Sequence, residues 1–166
     1  MSYGTKVGLL CLVGIIVGGF VAYTVGWFMA PGSYPRAERY EFDMPEEALI
    51  QIIKEVKRES PQLDPDQYPA ASRLGLQDGR VDKHDHWYSI YFYDPERDEI
   101  IHTWTRSKNR QTTTFGFAGI NKELRPGAWQ WVNDSFWWWE NTAEVERFEK
   151  RILSRIKNKA SVQNDM

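Results

Sequence analysis

The side chains in this sequence best suited to chemistry are three histidines and a dense run of tryptophans. His84 and His86 flank Asp85. On a strand, positions two apart share a face, and two imidazoles on one face are half of a metal site. A third ligand would have to be His102. If residues 86–93 and 99–106 form a hairpin pairing Ile90 with His102, the His102 ring lies four residues from His86. That is about 13 Å along the strand, too far to share an ion. The histidines therefore read as strand-entrance and sheet residues, and no metal or cofactor is expected. Cys11, the sole cysteine, sits in the apolar N-terminal run. A disulfide, a thiolate metal site and a cysteine nucleophile are thus all excluded from the rest of the chain.

Between residues 129 and 139 stand Trp129, Trp131, Phe136, Trp137, Trp138 and Trp139. Indole rings in such number can stack on sugars, anchor a protein interface or lie among lipid headgroups. They can also simply close the end of a small core. Three consecutive tryptophans cannot all face one way on a helix or strand, so at least one is expected to be exposed. No Ser/His/Asp signature, P-loop or dinucleotide fingerprint occurs, and the chain is expected to be non-catalytic.

The second conspicuous feature is residues 7–30, a run of 24 without a charge. As a helix this run is about 36 Å long, enough to cross a hydrocarbon core of about 30 Å. Tyr23, Trp27 and Phe28 gather at its end like an aromatic belt, and Pro31 and Gly32 stop it. A cleaved signal peptide would have a shorter apolar core, and Phe28 falls where cleavage after Ala30 needs a small residue. Within the run Gly14, Gly18, Ala22, Gly26 and Ala30 recur at every fourth position. Such a stripe lets a second helix approach closely in lipid, where packing rather than hydrophobicity drives association. The expected partners are thus the bilayer and another transmembrane helix, from a second copy or a different subunit.

Charge says little about orientation, with Lys6 on one side of the run and Arg36 and Arg39 on the other. A short tail before an uncleaved anchor usually stays in the cytoplasm. That places the anchor in the inner (cytoplasmic) membrane and the rest of the chain on the periplasmic or extracytoplasmic side. The formal charge of the 166 residues is −2, which gives no electrostatic footprint for nucleic acid.

The remaining elements supply one compact body. After a tail at 1–6, the anchor at 7–30 and a Pro/Gly-containing linker at 31–40, an α+β domain is expected over 41–158, with a flexible tail at 159–166. A brief strand is expected at 40–42. Leu49, Ile52, Ile53 and Val56 repeat at helical spacing, predicting a helix over 44–59 with Asp43 as its cap and Glu46 completing a capping box. Residues 60–83 read as a loop holding a helical turn near Ala70. Strands are predicted at 86–93, 99–106 and 112–120, an antiparallel meander whose core face would carry Tyr88, Ile90, Phe92, Ile100, His102 and Trp104. Residues 121–140 read as irregular. Asn141, with Glu144 three residues on, would cap a last amphipathic helix carrying Val145, Phe148, Ile152, Leu153 and Ile156. The function expected from all this is that of an accessory or assembly subunit of a membrane complex, single-pass and working by contact. The alternative is a periplasm-facing module for a small ligand or glycan, and an enzyme built on the histidines is a distant third.

Overall fold

The computed structural model describes residues 14, 16–21, 23, 36–82 and 84–164. The chain divides into two units, Met1–Ser33 and Tyr34–Met166. In the first, residues 14, 16–21 and 23 are helical and exposed. The tail at 1–6 and most of the run at 7–30 lie outside the described residues. Among the described residues no helix is long and apolar enough to cross a membrane.

The second unit is α+β. Five antiparallel strands form one sheet: β1 (Glu38–Phe42), β2 (Tyr88–Asp94), β3 (Glu99–Ser107), β4 (Thr113–Asn121) and β5 (Trp129–Trp131). The order is β1-β4-β3-β2, and β5 also pairs with β4. β1 takes Thr113 to Phe117 of β4 while β5 takes Gly119 to Asn121. One strand edge is therefore shared end to end by two partners. β1 begins at Glu38, so the last residues of the expected linker belong to the sheet. β5 lies in the stretch expected to be irregular; three residues are too few for a period-2 pattern to register.

Helix α1 (Glu46–Glu59) buries Leu49, Ile52, Ile53 and Val56 against the sheet, as its spacing predicts. Its predicted cap is not formed. Pro45 is the capping residue, and Glu46 turns inward, accepting from Thr105 Oγ1 at 2.9 Å and Arg80 Nη2 at 2.8 Å. A buried carboxylate needs a paired cation, and Arg80 outcompetes the helix end for it. Residues 60–74 fold as two 3₁₀ turns and a short helix α2 (Pro69–Ser72), with Ala71 buried.

The last helix starts at Trp138, earlier than the Asn141 cap predicts. It runs as α3 (Trp138–Phe148), a π turn (Glu149–Leu153) and α4 (Ser154–Asn164). Phe148, Ile152, Ile156 and Ala160 are all buried, in steps of four. A regular α-helix drifts about 40° per four-residue step, and the wider π turn takes up the drift. Residues 159–164, expected as a flexible tail, are helical; Lys159 bonds Glu59 at 2.5 Å and Glu55 at 3.2 Å on α1.

The hairpin register differs from the predicted one by a single residue. Tyr88 pairs with Thr105, Ile90 with Thr103, Phe92 with Ile101 and Asp94 with Glu99. A slip of one exchanges the faces of a strand. Ile90, Phe92 and Ile101 join Phe115, Phe117 and Ile120 in the main core under the helices. Ile100, His102 and Trp104 point to the opposite face, where Tyr68, Leu74, Leu76, Leu124 and Trp129 pack over Ala71, Tyr93 and Ile100. Both faces are covered, so neither strand alternates cleanly.

On that second face the Trp104 ring lies flat over Gly116, where an added Cβ would overlap it. Alanine in a strand is ordinarily favoured over glycine by about 0.5–1 kcal/mol. Gly116→Ala is instead expected to destabilise the domain by about 1–3 kcal/mol, as overpacking does. Chemical denaturation of the two proteins measures this, and a variant as stable as the parent contradicts the packing.

Candidate functional site

Three groups of side chains stand out from the packing. The first is at the start of α3. Trp137, Trp138 and Trp139 are exposed to 69, 76 and 53 %. The rings of Trp137 and Trp139 stack at 5.5 Å and 10°, and Trp138 meets Trp139 edge-on at 5.5 Å. The helix start that presents them is firm. Glu140 Oε2 accepts from Trp137 N at 3.3 Å, and Asn141 N donates to Trp137 O at 2.8 Å.

Asn141 has a different role from the predicted one. Its Oδ1 accepts from Asn133 N at 2.7 Å while its Nδ2 donates to Asn133 Oδ1 at 2.5 Å. Asn133 holds a left-handed backbone with φ 59°, which asparagine tolerates. Its Nδ2 donates to Arg36 O at 2.9 Å and to Glu38 Oε2 at 3.2 Å, and Asp134 pairs with Arg36. The loop ahead of the tryptophans is thereby clasped to the point where the chain enters the domain.

Trp129 and Trp131 belong to a second group. They lie on β5, stacked at 6.0 Å and 19°, half-buried and 36 % exposed respectively. His102 packs face to face with Tyr91 at 4.8 Å and edge-on to Trp129 at 5.6 Å. Its burial pushes the imidazole down to about 4, so the ring is neutral at physiological pH. Its Nε2 lies 3.3 Å from Ser89 Oγ. His84 and His86 precede β2 in a turn, outside the strand predicted to start at 86. Among the described residues no group of three or more His, Cys, Asp or Glu is arranged to hold a metal ion.

The third group has no sequence signature. Asp94, Glu99 and Glu144, from β2, β3 and α3, are each at least 94 % buried. Arg151 reaches Asp94 at 2.9 Å and Glu96 at 2.7 Å; Arg97 and Lys122 each reach Glu144 at 3.1 Å; Arg147 bonds Glu144 at 2.5 Å. Glu99 is the least well paired, with Arg97 at 3.4 Å and Arg147 at 3.9 Å. Desolvation raises its carboxyl to about 7, aided by Glu144 and Asp94 and opposed by Arg97 and Lys122. A carboxyl poised near neutrality is a proton donor and acceptor in principle. The void beside it is about 10 Å³, room for no more than a water-sized group. Residues as far apart as Arg97 and Glu144 meet only in the fold, so no spacing rule finds them. A wider dent of 390 Å³ between α1 and the following turns is lined by Lys57, Asp64 and Asp78, which already pair with one another.

Of the helix-packing residues, Gly14 and Gly18 are helical, and a Cβ at either would meet nothing within 4 Å. Ala22, Gly26 and Ala30 lie outside the described residues. The stripe belongs to the first unit and the tryptophans to the second. No protein-family model, no curated protein and no solved structure matches this chain.

Glu99 and His102 make opposite contributions to stability against pH. Between pH 4.5 and 7 the folded protein keeps a proton on Glu99 that the unfolded chain releases. Stability therefore falls as pH rises through that window, by on the order of 3 kcal/mol. Between pH 6.5 and 4 the unfolded chain protonates a histidine that the fold keeps neutral. Stability then falls on acidification by a similar amount. In the wild type the two slopes oppose each other from pH 4.5 to 6.5. Glu99→Gln is expected to leave a loss of stability toward acid, and His102→Gln a loss toward neutrality, both read from thermal unfolding across that range. Slopes identical to wild type in both variants contradict the two assignments.

Proposed function

We propose that this chain is a membrane-anchored, non-catalytic accessory or assembly subunit. Residues 7–30 hold it in the inner membrane and its α+β domain lies on the extracytoplasmic side. It acts by contact, through the small-residue stripe and an aromatic surface. The observation that carries the reading is the ridge Trp137–Trp138–Trp139: three adjacent indoles, each more than half exposed, on a helix start held by hydrogen bonds on both sides. An aqueous domain rarely keeps so large an apolar patch in water, and such patches mark interaction surfaces.

Two further features support it. The 24 uncharged residues are long enough to span hydrocarbon. The helical residues described among them display Ile16, Val17 and Phe20 at 62, 55 and 68 % exposure, a surface suited to lipid or to a second helix. Of the buried carboxylates, Asp94 and Glu144 are held by arginine and lysine partners, and the void beside Glu99 is too small for a substrate, which favours a scaffold over an enzyme.

Bulk on the stripe tests the docking. Gly18→Leu and Ala22→Leu are each expected to lower recovery of the co-purifying membrane protein in mild detergent by about tenfold, the effect of losing ~1.4 kcal/mol of packing. Wild-type recovery with both variants, or release of the wild-type chain by carbonate washing, rejects the reading.

A further inference from the structure

We infer that Trp137, Trp138 and Trp139 form a lipid-facing ridge that seats in the headgroup layer of the bilayer holding the N-terminal segment. This rests on the anchored reading above and names what its aromatic surface meets.

Three observations lead there. The ridge is apolar and exposed, with Trp137 stacked on Trp139 and Trp138 edge-on to it. Tryptophan with one apolar side and one donor favours the membrane–water interface over either bulk phase. The ridge also lies beside the place where the chain enters the domain. Asn133 bonds Arg36 O and Glu38, Asp134 pairs with Arg36, and Asn141, three residues past Trp138, holds Asn133 from the other side. β1 and β5 share one edge of β4, which sets residues 36–38 against residues 131–134 in the backbone itself.

Chain length does the rest. Only residues 31–35 separate the apolar run from Arg36. Six Cα–Cα steps span at most about 21 Å, and the interfacial layer on each side of the core is itself several ångströms thick. A tether of that length keeps Arg36, and with it the hydrogen-bonded loop just ahead of the tryptophans, within reach of the headgroup layer. Three indoles in the headgroups fix the domain's tilt, so that the anchor and the ridge act as two points of attachment.

The test uses the full chain reconstituted in phosphatidylcholine vesicles, with and without lipid brominated near the top of the acyl chains. The wild type is compared with the variant carrying Trp137→Ala, Trp138→Ala and Trp139→Ala. The three positions are exposed, so far-ultraviolet circular dichroism should match wild type. Brominated lipid is expected to remove at least twice as much emission from the wild type as from the variant, whose residual loss comes from Trp27. In the same vesicles, acrylamide should quench the wild type no more than the variant. Equal losses to bromine in the two proteins, with extra acrylamide quenching in the wild type, would place the ridge in water and overturn the inference. That outcome leaves the anchor intact and the ridge open to a protein. If neither protein floats with the vesicles, the anchored reading fails, and this one with it.

Discussion

The register of β2 against β3 is the constraint on which the rest of the domain depends. The turn at 95–98, with Asp98 in the left-handed region at φ 53°, closes the hairpin with Asp94 directly opposite Glu99. Two carboxylates in cross-strand contact repel, and burial makes the repulsion worse. The fold answers with cations from elsewhere: Arg97 from the turn itself, Arg147 from α3 and Arg151 from the π turn. The same register sends Phe92 and Ile101 into the main core and Tyr91 and His102 to the other face. Pairing at the hairpin mouth thus decides where the C-terminal helix lies and what each side of the sheet presents.

Docking of that helix has further consequences. Phe148 stacks on Phe117 at 4.3 Å while Glu144, one turn earlier, takes Lys122, Arg97 and Arg147. Val145 and Phe148 of α3 pack on the core, while Trp137, Trp138 and Trp139, one to three turns earlier, are exposed. Asn133 and Asn141 then lock the incoming loop. A surface built this way is rigid before it meets anything, which limits the entropy lost on contact.

The second face of the sheet follows a different physical logic. Gly116 and Gly119 have no Cβ, so Trp104 and Trp131 lie directly on the strand backbone. His102 fills the space between Tyr91 and the β5 tryptophans as a neutral ring, its charge suppressed by burial. Aromatic flatness here replaces the aliphatic interdigitation of the main core.

The helix at 46–59 and the middle of the last helix were legible from sequence because an amphipathic period of 3.6 is a local property, readable from Leu49, Ile52, Ile53 and Val56 or from Phe148, Ile152 and Ile156; the start at Trp138 and the helical residues 159–164 were not. The three long strands were legible too, through their density of aromatic and β-branched residues and the turns between them. Local composition likewise determined that three neighbouring tryptophans could not all be buried. The tertiary structure alone decided the register, since Tyr88 to Asp94 is apolar on both faces and its alternation favours neither. It also decided the fates of Glu46 and Glu144, which read as capping residues but answer to Arg80 and Arg97, dozens of residues away. A short-range pattern specifies which face of an element is apolar. Only the closed fold, which removes water from a charge, decides which distant partner that charge must find.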